Sequence, residues 1–190
     1  EGFDELSTLG PCVSVFGSAR LTRADPVYDR CVETARLLGE AGYGIITGGG
    51  PGIMEGANRG ATEKADGLSV ALTISLPNEE EPNPYVTPEL VSEFHYFFMR
   101  KLWFVQLSCA VVIFPGGYGT LEELFEAATW TQLGLHGTHK PVILLDRNGF
   151  WSGLDDFLDR LVSDGFVNPE SRGIVSRVTS VEEVLAVLDQ

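Results

Sequence analysis

Along the chain, short wholly apolar runs alternate with longer stretches in which apolar residues recur at helical spacing, from about residue 12 to residue 188. Runs of four to seven apolar residues bounded by turn formers have the length of strands. Continuous rather than alternating apolarity marks strands covered on both faces. On this reading strands lie over 12–16, 44–47, 69–75, 90–94, 110–114, 142–146 and 174–178. The helix between the first two is signalled by Asp25 as N-cap and Pro26 in the first helical position. Val27, Cys31, Ala35 and Leu38 fall on one side of it and Gly42 stands beyond its end. Further helices are predicted over 52–65, 97–107, 120–133, 153–161 and 181–188. The alternation predicts one α/β domain over residues 11–190, preceded by an N-terminal extension over 1–10. Its architecture is a doubly wound, Rossmann-like, mostly parallel sheet with helices on both faces. The stretch 77–85, with Pro77, Pro82 and Pro84 around Glu79, Glu80 and Glu81, is a loop between two strands. A solvated acidic turn and a lid over a site are both open for it.

Composition narrows the classes of partner. The 190 residues are 44% hydrophobic and 21% charged, as expected of a globular domain with a substantial core. Thirteen Lys+Arg against 27 Asp+Glu give a formal net charge of −14, which argues against nucleic acid and anionic membrane as partners. Any anionic ligand must be held by local fields. The longest apolar run, 109–114, is far short of the roughly 20 residues of a spanning helix. The first residues lack the basic start and apolar stretch of a secretory signal, so a cytoplasmic protein is expected. Cys12, Cys31 and Cys109 have no C-x-x-C spacing and read as small buried hydrophobes. His136 and His139 lack a third ligand at suitable spacing, so no metal site is expected. The aromatic run 94–98 around His95 either lines a base-stacking pocket or fills core and subunit interface.

Two glycine clusters stand directly after strands and before helices: Gly48-Gly49-Gly50-Pro51-Gly52 and Pro115-Gly116-Gly117-Tyr118-Gly119-Thr120. Strand ends of an open α/β sheet are where ligands bind. Glycines there let backbone N–H groups converge on a phosphate, and a helix N-terminus adds partial positive charge. The second cluster is followed by Glu122 and Glu123, and a carboxylate near a bound phosphate suits chemistry on the attached sugar. Acids in a first helical turn also favour the macrodipole, an ordinary account of one glutamate here and of Glu55. Met99-Arg100-Lys101 opens a helix, where cations are unfavourable, so the pair asks for an anionic partner.

Common nucleotide fingerprints do not fit. Residues 50–56 miss the third glycine of G-x-G-x-x-G by one position, and Ser75-Leu76-Pro77 stands where a ribose-binding acid is expected. Neither cluster ends in the G-K-[ST] of a Walker loop, and no G-x-S-x-G elbow occurs.

The segments Gly48 to Glu55, Met99-Arg100-Lys101 and the complete P-G-G-x-G-T-x-x-E motif of residues 115–123 resemble the LOG family, named for the plant Lonely guy protein. The resemblance runs from about residue 11 to 188. Members are cytokinin riboside 5′-monophosphate phosphoribohydrolases, once labelled possible lysine decarboxylases. What the resemblance implies is hydrolysis of the N-glycosidic bond of a nucleoside 5′-monophosphate, AMP or a cytokinin form, without metal or organic cofactor. It assigns Glu123 and Arg100 as catalytic residues. Substrate-contact positions fall at Lys101, Gly116, Gly117, Tyr118, Gly119, Thr120, Leu121, Glu122 and Thr129, with Gly17, Ser18, Gly48, Gly49 and Gly50 in the strand-end loops. The family's substrate-binding glutamate is matched to Glu79. Trp103, Phe104, Trp130 and Leu133 read as packing surface on consecutive helices, and their number together with the resemblance implies a homodimer with its interface near the site. The chain departs from the family in carrying Glu55 where G-G-G-x-x-G-L-M-G places glycine, and in the 77–85 loop. The decarboxylase label fits poorly, since only Lys64, Lys101 and Lys140 are available for a Schiff base. A module that binds a nucleotide or the molybdenum cofactor without cleaving anything is the alternative. Such a module has no need of Arg100 and Glu123.

Overall fold

The computed structural model describes residues 9–63, 67–74, 81–135, 140–146 and 148–189. Seven strands form one parallel sheet: β1 (Cys12–Phe16), β2 (Gly44–Thr47), β3 (Ser69–Ile74), β4 (Val91–Phe94), β5 (Ser108–Ile113), β6 (Val142–Leu145) and β7 (Val175–Val178). Their order is β4-β3-β2-β1-β5-β6-β7, every neighbouring pair being parallel. The helices are α1 (Pro26–Glu40), α2 (Ile53–Thr62), α3 (Phe97–Leu107), α4 (Tyr118–Gln132), α5 (Ser152–Ser163) and α6 (Val181–Leu188). Short 3₁₀ turns precede β4 and β7.

The continuous apolar runs are strands covered on both sides. Along β5, Ala110 and Val112 pack with Cys31, Ala35, Ile53, Ala57 and Val184 of α1, α2 and α6. Val111 and Ile113 instead pack with Leu124, Ala127 and Trp151 on the α4 and α5 side. On the same side, Ile46, Val70 and Leu72 meet Trp103 and Phe104 of α3, and Leu9 rests against that cluster. The two core layers follow from the period-two alternation of side chains in a strand.

Local chemistry sets the boundaries. The Asp25 carboxylate accepts from the Val27 N–H at 2.8 Å with Pro26 in the first turn, and α1 ends before Gly42 at φ +96°. The packing of α2 on α1 requires Gly60, where a Cβ would lie 2.2 Å from the Val32 carbonyl oxygen. Several boundaries differ from the sequence reading. β5 begins at Ser108, and the stretch 88–90 is a 3₁₀ turn. α4 begins at Tyr118, so Glu122 and Glu123 lie beyond its first turn and the macrodipole account does not cover them. Cys12 and Cys31 are buried, whereas Cys109 is exposed beside the register shift between β1 and β5. Among the described residues no helix is long and apolar enough to cross a membrane.

From β1 the chain winds outward through β2, β3 and β4, then returns to β5 on the other side of β1. The carboxyl ends of β1 and β5 therefore form the switch point at which such sheets open a crevice.

Candidate active site

The segments leaving the carboxyl ends of β1, β2 and β5 enclose a cleft of about 1260 Å³. The turn after β1 is tied to the β5 loop by Ser18 N–H donating to the Pro115 carbonyl at 3.0 Å, and Ile53 N–H of α2 donates to the Ser18 carbonyl at 3.0 Å. Gly52 makes the entry to α2 possible, since it sits at φ +68° and a Cβ would come 2.4 Å from the Ser18 carbonyl oxygen. Gly17, Ser18, Gly48, Gly49 and Gly50 line one side of the cleft.

A buried polar network fixes the glycine loop from behind. Asn58 of α2, wholly buried, accepts from the Thr47 hydroxyl at 2.6 Å and from Asn83 Nδ2 at 2.9 Å, and donates to the Ser69 hydroxyl at 3.0 Å. Asn83 also donates through Nδ2 to the Gly49 and Gly50 carbonyls, each at 3.1 Å, and through its backbone N–H to Gly49 at 2.8 Å. The described end of the acidic loop is thus strapped to the glycines, and Glu81 and Pro82 line the cleft. Glu55 is in the first turn of α2 and holds this corner together. It accepts from Arg23 Nε at 2.7 Å and from the Tyr28 hydroxyl at 2.9 Å, while the Arg23 guanidinium lies 5.7 Å from the centre of the Tyr85 ring.

The opposite side is the N-terminal part of α4, where residues 117–123 all line the cleft. This helix starts at Gly117 with no side-chain cap, so its first N–H groups have no partner within the helix. An added Cβ at Gly117 or Gly119 would meet nothing within 4 Å. The fold does not demand glycine at these two positions, and its use keeps the cleft open there. Gly116 instead lies beneath the loop, where a Cβ would collide with Thr120 Oγ1. Tyr118 is 94% exposed at the rim.

α3 brings its two cations to the same end of the sheet. Arg100 lines the cleft, with its guanidinium carbon 5.0 Å from the Phe97 ring centre and 5.8 Å from that of Phe104. Its Nη1 lies 3.9 Å from where a Gly48 Cβ would be. The anionic partner expected of this pair is present for Lys101, which donates to Glu122 and stands 3.8 Å from Glu126. Burial pushes the Glu123 carboxyl up to about 7. The Glu126 charge adds to this, Lys101 and Arg100 oppose it, and Glu122 adds again. At neutral pH Glu123 therefore exchanges a proton readily, as a general acid or base must.

One residue assigned a substrate contact from the sequence lies in a different pocket. Thr129 lines a separate pocket of about 160 Å³, with Phe125, Leu158 and Arg172. Glu79 lies outside the described residues, as do His136 and His139. The aromatic run divides: Phe94 packs edge-on against Trp103 at 5.2 Å, Phe97 lines the cleft, and Tyr96 and Phe98 point outward at 67% and 66% exposure. Sequence reasoning missed Asn58 and Asn83, and missed Met54, Glu81 and Glu93 in the cleft wall. A mid-helix asparagine between Ala57 and Ala61 was the one available signal. Among the described residues no three of His, Cys, Asp and Glu gather as metal ligands.

The fold and cleft define a doubly wound α/β protein with its site at the strand switch point. Residues 54–188 match the family described as "Possible lysine decarboxylase". The chain is 34% identical over 176 residues to the cytokinin riboside 5′-monophosphate phosphoribohydrolase LOG of Oryza sativa subsp. japonica, covering 92% of this chain and 70% of that protein. It is 30% identical over 182 residues to LOG3 of Arabidopsis thaliana, with coverages of 94% and 81%. The chain belongs to this LOG family. A structural-genomics target solved by X-ray crystallography superposes with a TM-score of 0.71 at 31% identity, over 95% of this chain and 99% of that one. The molybdenum cofactor carrier protein of Chlamydomonas reinhardtii shares the fold with a TM-score of 0.66 at 21% identity, over 95% and 97%.

The decarboxylase description implies pyridoxal phosphate, and the lysines among the described residues do not fit it, Lys64 lying outside them. A Schiff base needs an amine that is neutral and faces the site. Burial works against the Lys101 charge, but Glu122, Glu126 and Glu123 outweigh it and hold the ammonium above its usual range. Lys140 is lowered to about 8 by burial, yet its Nζ donates to the Val105 carbonyl near the C-terminus of α3, away from the cleft.

Proposed function

We propose that this protein hydrolyses the N-glycosidic bond of nucleoside 5′-monophosphates, releasing the free base and ribose 5-phosphate. The observation that carries the proposal is Glu123 in the second turn of α4, behind an uncapped helix N-terminus and in the same cleft as Arg100. The name of the rice relative supports the same reaction class. In this reading the 5′-phosphate accepts from the N–H groups at residues 118–120, where Gly117 and Gly119 leave room for it. The ribose then lies along α4 toward Glu123. As the C1′–N bond breaks, positive charge develops at C1′ and the ring oxygen, and the Glu123 carboxylate stabilises it and takes a proton from the attacking water. The water oxygen bonds to C1′, the departing base keeps the bonding electron pair and is protonated, and Arg100 orients the ribose hydroxyls or the base. The needed charges are supplied by side chains and the helix terminus, so the reaction as proposed uses no metal or organic cofactor.

We further propose that the domain spans residues 11–190 and works as a homodimer. Thr129 occupies a family contact position yet faces a separate pocket, beside Phe125 at 39% and Leu133 at 64% exposure. A second copy seated on this face would bury the apolar residues and bring Thr129 toward its partner's cleft. AMP and its N6-substituted forms are the proposed substrates, and the cytoplasm the proposed compartment.

The test is chromatographic detection of free base after incubation with AMP, GMP, CMP, UMP and N6-isopentenyladenosine 5′-monophosphate, with adenosine as control. Release from phosphorylated substrates alone is expected. Monophosphate binding without release from any of them would overturn the hydrolase reading in favour of a carrier.

A further inference from the structure

Glu123 shares two turns of α4 with two other carboxylates. Glu122 precedes it and Glu126 follows three residues later, close to the same side of the helix. Lys101 of α3 is set among them with its side chain only 11% exposed, 5.0 Å over the Phe97 ring. It pairs with Glu122 and Glu126 and, among the described ion pairs, not with Glu123. Oε2 of Glu126 is buried without a hydrogen-bond partner among the described residues, its nearest cation being Lys101 at 3.8 Å. The charge that compensates this buried oxygen is Lys101, so the acid is set toward that ammonium rather than toward a hydrogen-bond network.

We propose that Glu126 is a positioning residue of this site: by sharing Lys101 with Glu122 it holds the ammonium off Glu123, leaving the reacting carboxyl open to water and substrate. The inference rests on the reading of Glu123 as the reacting acid. The charged groups facing Glu123 are Glu122 and Glu126 from its own helix and Arg100 and Lys101 from α3. Of these, Glu126 acts most strongly, upward, second only to burial. Removing its charge takes away a repulsive neighbour and also frees Lys101 to approach Glu123. Both changes favour the ionised acid.

The experiment is a ¹³C NMR titration of the Glu123 carboxyl in glutamate-labelled protein, the resonance being assigned by its loss in Glu123→Gln. In Glu126→Gln the midpoint is expected to fall by roughly one pH unit. In Lys101→Gln it is expected to rise, and in Glu126→Asp, which keeps the charge, to stay near the wild-type value. The limb of the kcat/KM profile governed by Glu123 should move with the midpoint, with kcat changing more than KM. An unmoved midpoint in folded Glu126→Gln overturns the proposal. A midpoint that does not rise in Lys101→Gln overturns it whether or not Glu126→Gln folds. The titration uses no substrate, so a wild-type protein that releases no base would defeat the hydrolase reading while the titration still decides the role of Glu126.

Discussion

Burial raises the Glu123 carboxyl to about 7 from the 4.5 it has when exposed. Between these pH values the native state holds the proton more often than the unfolded chain does. The contribution of this group to stability therefore falls as pH rises from about 4.5 to about 7, and the loss persists above. Glutamine keeps the shape and removes the charge. Glu123→Gln is thus expected to be more stable than wild type at pH 8, by roughly 2 kcal/mol, and no more stable at pH 4, as read from urea midpoints. The same variant should lose about 10²-fold or more in kcat, because a positioned proton-transfer group contributes on that scale. A variant equally stable at both pH values would show that the carboxyl is not held against its charge. Arg100→Ala should also lower kcat/KM strongly, with little rescue by Arg100→Lys, since an ammonium cannot reproduce the flat guanidinium between Phe97 and Phe104.

Between elements, the site depends on how α2 and the loop before β4 are tied to the end of β2. Asn58 serves Thr47, Ser69 and Asn83 at once. Asn58→Ala would remove a hydrogen-bond partner from the buried Thr47 and Ser69 hydroxyls and from the part-buried Asn83, at a cost of roughly 3 kcal/mol. It should raise KM more than it lowers kcat, because Asn83, the strap on Gly49 and Gly50, loses its support from behind while Glu123 and Arg100 keep their places on α4 and α3. Denaturation midpoints with steady-state kinetics check both parts. Gly60→Ala tests the packing of α2 on α1 alone. A Cβ 2.2 Å from the Val32 carbonyl oxygen and 2.8 Å from the Ala35 Cβ must push the helices apart. A loss of roughly 2 kcal/mol is expected.

At the scale of the whole molecule, a net charge of −14 surrounds a cleft that carries Arg20 and Arg100. An anionic substrate is thus attracted only locally, by those side chains and the α4 terminus. The exposed apolar residues Phe125 and Leu133 lie on α4 and just past its end, on the chain segment that also lines the cleft. Light scattering of the proposed dimer should give about twice the 20.6 kDa of one chain. The double substitution Phe125→Glu and Leu133→Glu should yield monomers with reduced base release. A monomeric wild type of full activity would remove the dimer from the mechanism.

The elements were legible because their signals are local. Short apolar runs bounded by turn formers and alternating with helical stretches read as buried strands, and the Asp25-Pro26 start of α1 is written in adjacent residues. The P-G-G-x-G-T-x-x-E motif likewise sits on one loop and one helix, so its chemistry could be read in order. The sequence by itself therefore determined the sheet, its helices and the loop and acid of the candidate site. Tertiary structure alone decided what depends on pairs far apart in the chain. Asn58 meets Asn83 across 25 residues and Lys101 meets Glu122 across 21. Thr129, on the same helix as Glu123, turned out to face away from the cleft. The proton affinity of Glu123 belongs with these, because burial and the charges of two helices set it, and neither exists until the chain has folded.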